Sequence, residues 1–93
     1  MSNKAYRNVW DAIESTPSEA ANMKLRSELM LVLEQHIRTK GWTQTEAAEQ
    51  FGVTQPRISD LLRGKINLFA LDTLVNMVST AGLDIELRVS QPA

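Results

Sequence analysis

The chain has 93 residues, 43% of them hydrophobic, with a formal net charge of −1 and no cysteine. That length holds a single domain whose core is only just sufficient, and the lack of cysteine excludes disulfides and thiolate metal sites. The longest apolar run, 29–33, is too short to span a bilayer, and the opening MSNKAYRN lacks the apolar centre of a signal peptide, so a cytoplasmic protein without membrane contact is expected.

The charge is unevenly placed. Residues 38–65 carry Arg38, Lys40, Arg57, Arg63 and Lys65 against Glu46, Glu49 and Asp60, five cations to three anions, whereas both flanks are net negative. A local basic face on an acidic body suits a phosphate backbone, where a few cations supply salt-dependent affinity. On charge alone, a solvated face of mixed sign fits as well.

Tyr6, Val9, Trp10 and Ile13 recur at i, i+3, i+4, i+7, which predicts an amphipathic helix over 3–15. Thr16-Pro17-Ser18-Glu19 then spells a helix start: a Thr cap, proline where no amide is needed, and Glu three residues after the cap. The second helix runs to about Lys40 on an apolar stripe of Leu25, Leu29, Val32, Leu33, His36 and Ile37, and Gly41 stops it. His36, the only histidine, reads as a packed edge residue, because a metal site needs partners this chain does not offer. Thr43 and Glu46 form a second capping box, opening a short helix over 44–51 that Gly52-Val53 breaks. Thr54 caps the next helix, whose Pro56 sits in the first turn. Ile58, Leu61 and Leu62 point inward, and Gly64 closes that helix. Leu71, Leu74, Val75 and Val78 predict a fifth helix ending at Gly82.

Beyond Gly82 the period changes to two. Leu83, Ile85, Leu87 and Val89 alternate with Asp84, Glu86 and Arg88, the pattern of a strand. A lone strand has no hydrogen-bonding neighbour, so a second chain is expected to complete it; an extended tail packed on the helices is the alternative.

Two short helices joined by a glycine turn, over 43–64, make a helix-turn-helix. Its spacing is specific: Ala48 is small where the helices cross, Gly52 allows the turn, and Ile58 locks the second helix onto the first, with Ala47, Phe51, Val53 and Leu61 around them. The stretch WTQTEAAEQFGVTQPRISDLLRGK resembles the DNA-binding segment of the Xre/Cro-type, lambda-repressor-like regulators, down to the Thr-Gln openings, the Gly-Val turn and the closing Arg-Gly-Lys. The longer QPRISDLLRGKINLFALDTL, followed by a helix and a Gly-Leu-Asp strand start, is similar to the HigA-type antitoxins, and the likeness covers 24–89.

The resemblance, which leaves about the first twenty residues unmatched, implies a mainly α DNA-binding domain; with the N-terminal helix this makes five helices and one C-terminal strand used for dimerisation, in a single domain that the length places over 1–93. It implies a homodimer that binds a palindromic operator in double-stranded DNA and represses its own operon. It also implies a toxin partner, a RelE/HigB-like ribosome-dependent mRNA nuclease. One departure stands out: related sequences place Ser before the fifth helix and this chain has Ala70, so that cap is lost and Asn67 becomes an earlier candidate start.

In such a domain the polar first turn of the second helix faces base edges. Gln55 can pair with adenine, Arg57 can reach guanine or a phosphate, Asp60 can accept from cytosine, Pro56 offers a surface to a thymine methyl, and Ser59 belongs to the same set. For Asp60 a solvated surface position is an equal alternative. Thr43, Gln44, Thr54, Arg63 and Lys65 lie at helix ends, where backbone phosphates are met.

An enzyme is disfavoured by the single histidine, the lack of cysteine and the lack of a Gly-rich phosphate loop; no catalytic residue, metal or cofactor is expected. A module that binds only proteins is the stronger rival. A stand-alone regulator and an antitoxin fit these residues equally well. The dimer strand is expected to use Leu83, Ile85, Leu87 and Val89 for its apolar face and to pair Glu86 with Arg88 of a second copy. The N-terminal helix is a candidate toxin-binding surface, with packing on its own domain as the alternative.

Overall fold

The computed structural model describes residues 16–91. The helix expected over 3–15 lies outside the described residues. Within them, four helices follow one another: α1 (Pro17–Lys40), α2 (Gln44–Phe51), α3 (Gln55–Leu62) and α4 (Leu71–Thr80), with a 3-10 turn, Ile66–Leu68, between α3 and α4.

The starts are set by side chains. Thr16 is extended and its hydroxyl accepts from the Glu19 amide at 3.2 Å, while Pro17 occupies the first helical position, where no amide is missed. At the other end Gly41, at φ 69°, takes the left-handed conformation and returns its amide to the Arg38 carbonyl. The buried face of α1 is Met30, Leu33 and Ile37, with Leu29 packed beside them. Leu25 and Val32, expected in that stripe, are exposed. At 100° per residue they lie about a third of a turn from the face centred on 30, 33 and 37, so Met30 takes the place assigned to Val32.

The core gathers Leu33, Phe51, Ile58, Phe69, Leu74 and Met77, all fully buried, from α1, α2, α3, the connection after α3, and α4. In α4 the inward residues are Leu74, Met77 and Val78, and Val75 is exposed, contrary to expectation. His36 is half-buried and meets Trp42 edge-on at 5.2 Å between ring centroids, with Phe51 beyond, so it packs at the joint of α1 and α2.

Ala70 caps α4 without a side-chain hydrogen bond, yet the helix does not start earlier at Asn67. Asn67 belongs to the 3-10 turn, and Phe69 follows in an extended conformation (φ −124°, ψ 108°). Burying the Phe69 ring fixes that extended residue, which separates the turn from α4.

The C-terminal strand, expected to be completed by a second chain, is not formed in the single chain. After Gly82, residues 83–91 form neither strand nor helix, and no strand occurs among the described residues. Leu83 packs against the core, but Leu87 and Val89 are 82% and 85% exposed, so the apolar face does not cover the helices. A strand exists only through a ladder with a neighbouring strand, and a helical domain presents no such edge. The single chain is therefore mainly α, with four described helices.

Candidate nucleic-acid interface

α2 is opened by a complete capping box: the Thr43 hydroxyl accepts from the Glu46 amide at 3.1 Å and a Glu46 carboxylate oxygen accepts from the Thr43 amide at 2.8 Å. Gly52 ends it at φ 71°, and a Cβ built there would stand 3.3 Å from the Thr80 methyl of α4. The turn then closes with the Val53 amide on the Ala48 carbonyl at 3.0 Å. Thr54, extended, caps α3 by accepting from the Arg57 amide at 3.4 Å, and Pro56 stands in the first turn without costing a helical bond. Ala48, Phe51, Ile58 and Leu61 are buried between the two helices, and Ala48 contributes so little bulk that the axes can approach.

This packing leaves one side of α3 outward. Gln55 and Pro56 are exposed, and Ser59, one turn beyond Gln55 on the same face, is half-exposed with its neighbour Asp60. Thr43 and Thr54 are exposed at the starts of α2 and α3, Gln44 is half-buried, and Arg63 and Lys65 are exposed past the end of α3. Lys65 Nζ lies 3.9 Å from an Asp60 carboxylate oxygen, which partly neutralises the one anion on this side of α3. The residues assigned to bases and phosphates are thus gathered around two short helices. Glu86 and Arg88, with Ile85, Leu87 and Val89, lie exposed on the C-terminal segment, and Leu83 is half-buried at its start.

Arg57 does not stand free. Its guanidinium donates to the Leu68 carbonyl at 2.8 Å and sits 5.4 Å from the Phe69 ring centroid, turned toward the connection between α3 and α4. Two residues absent from the sequence reading share this environment. Phe69 is fully buried, and Arg26 of α1 donates to the carbonyls of Ile66 and Phe69 at 3.3 and 3.4 Å. A signal for Arg26 was available: it falls at i, i+4, i+7, i+11 with Met30, Leu33 and Ile37, a charge on the buried face of a helix.

A capped helix, a left-handed glycine turn and a second helix with a polar, outward first turn define a helix-turn-helix, the arrangement that lays its second helix in the major groove of DNA. The family described as a helix-turn-helix domain matches residues 13–90, and the chain belongs to it, which marks it as a DNA-binding regulator. No curated protein matches the chain. No described helix is long and apolar enough to cross a membrane.

Proposed function

We propose that this chain is a sequence-specific transcriptional repressor that binds a palindromic operator as a homodimer, acting in the cytoplasm by binding alone, with 1–93 as one domain and without catalysis or a cofactor. The observation that carries this reading is the outward face of α3, where Gln55, Pro56 and Ser59 are presented to solvent beside the capped ends that bear Thr43, Gln44, Thr54, Arg63 and Lys65. Polar groups on the first turn of a second helix, flanked by helix ends and cations, are what base-edge and phosphate contacts require. Asp60 joins the base-facing set as an acceptor, screened by Lys65.

We further propose that the repressor is the antitoxin of a two-gene operon, autoregulating its promoter and blocking a RelE/HigB-like nuclease. The likeness of 24–89 to HigA-type antitoxins supports this. A stand-alone Xre-type regulator shares the same DNA-binding face and differs only in lacking the toxin. Gel shift of the chain's own promoter fragment at two salt concentrations tests DNA binding. Co-expression with the product of the adjacent reading frame, followed by co-purification and a growth-rescue assay, tests the antitoxin role. A promoter fragment bound no better than unrelated DNA of the same length would overturn the repressor reading.

A further inference from the structure

The connection from α3 to α4 is held at two points by arginines. Among the described residues, the donor to the Leu68 carbonyl is Arg57, from the first turn of α3, and the donor to the Phe69 carbonyl is Arg26, from α1, which also reaches the Ile66 carbonyl. Arg57 in addition lies over the ring of Phe69, the residue that plugs this connection into the core. The Arg26 Nε is buried with no hydrogen-bond partner among the described residues, a desolvation cost borne while Nη1 donates to both carbonyls. Extended and 3-10 residues leave main-chain carbonyls that no helix satisfies, and a guanidinium, with five donors in a planar fork, can serve them from the side.

We propose that Arg57 and Arg26 are positioning residues: together they tie α1, the 66–69 connection and the first turn of α3 into one unit, and base reading on α3 falls to Gln55, Ser59 and Asp60 rather than to Arg57. The proposal rests on the DNA-binding reading for its second half only. To read a guanine, Arg57 would have to leave both the Leu68 carbonyl and the Phe69 ring. Its backbone already belongs to the cap of α3, through the Thr54 hydroxyl. The side chain therefore couples the orientation of Gln55, two residues before it, to a connection eleven residues after it.

The first measurement needs no DNA. The amides of Leu68 and Phe69 donate to the carbonyls of Lys65 and Ile66, and the Val53 amide donates to Ala48 in the turn between α2 and α3. In Arg57→Gln and Arg26→Gln, hydrogen exchange at Leu68 and Phe69 is expected to quicken about tenfold or more while Val53 is unchanged, since Arg57→Gln loses one charged hydrogen bond to that connection and Arg26→Gln loses two. Arg57→Lys, which keeps a donor for Leu68, is expected to recover much of the protection and also serves if a glutamine variant folds poorly. Unchanged exchange at Leu68 and Phe69, or equal quickening at Val53, overturns the positioning role. The second measurement uses operator duplexes carrying single base-pair changes. Arg57→Gln is expected to lower affinity for every duplex by the same factor, whereas Gln55→Ala flattens the preference at one base pair. A selective loss of preference at one base pair in Arg57→Gln overturns the assignment of base reading. If the wild type binds no duplex, the DNA reading fails while the exchange experiment still decides the positioning role.

Discussion

Gly52 and Gly41 share nearly the same left-handed backbone, at φ 71° and 69°, but not the same surroundings. A Cβ on Gly41 would meet nothing within 4 Å, whereas one on Gly52 would press on the Thr80 methyl at 3.3 Å. Gly41→Ala is therefore expected to cost only the left-handed penalty, about 1–2 kcal/mol, and Gly52→Ala more than that, because α4 must also give way. Urea denaturation of the two variants checks the order; equal losses would show that α4 yields freely at this contact. Gln55 is the residue on which base discrimination is staked. Gln55→Ala should weaken operator binding by about 1–3 kcal/mol and relax preference at one position, measured by competition among operator variants. Arg63 and Lys65, exposed past the end of α3, are staked on phosphates instead. Each alanine variant is expected to lower affinity evenly across sequences and to reduce the slope of log affinity against log salt by about one.

At the scale of elements, the capped starts of α1, α2 and α3 were legible because each cap is a local pattern: Thr16 to Glu19, Thr43 to Glu46 and Thr54 to Arg57 involve neighbours within one turn. The start of α4 was not, because Asn67 is kept out of that helix by the burial of Phe69, a contact with distant residues. The C-terminal segment raises the opposite case, since its period-two pattern is plain but the single chain offers it no ladder. If two copies supply one another, two-fold symmetry makes the strands antiparallel. Centring on Ile85 sets Asp84 opposite Glu86, and centring on Glu86 sets two glutamates face to face, although it also pairs Asp84 with Arg88. Centring on Leu87 pairs Glu86 with Arg88 and Ile85 with Val89, each twice, so the charges are complementary and the apolar face is continuous. Glu86→Arg should then weaken the dimer by about 0.2–1 kcal/mol per pair, and combining it with Arg88→Glu should restore it, as read by sedimentation equilibrium. A double variant weaker than the single one would exclude this register.

For the whole molecule, the proposed dimer has to set two α3 helices about one turn of DNA apart, roughly 34 Å. Truncation after Gly82 is expected to leave a folded monomer, since the buried core ends with Val78 and, past Gly82, only Leu83 packs against it, and to weaken operator affinity greatly. Circular dichroism, sedimentation and gel shift on the same preparation separate these effects; a truncated chain that still dimerises and binds as before would place the dimer interface elsewhere.

The sequence by itself determined what is local: three capping patterns, the glycine stops, the pair of short helices and the polar first turn of α3 each follow from residues within a turn or two of one another. The helix-turn-helix was readable for that reason, its packing positions Ala48, Gly52 and Ile58 falling at fixed offsets. Tertiary structure alone decided which apolar residues are inside and which polar ones are committed to the fold. Met30 is buried and Val32 is not because of where α2, α3 and α4 stand around α1, and no periodicity fixes the centre of a stripe wider than the face it must cover. Arg57 turns from solvent toward Leu68 and Phe69 because the Leu68 carbonyl and a buried ring lie eleven and twelve residues away in sequence but within reach in space.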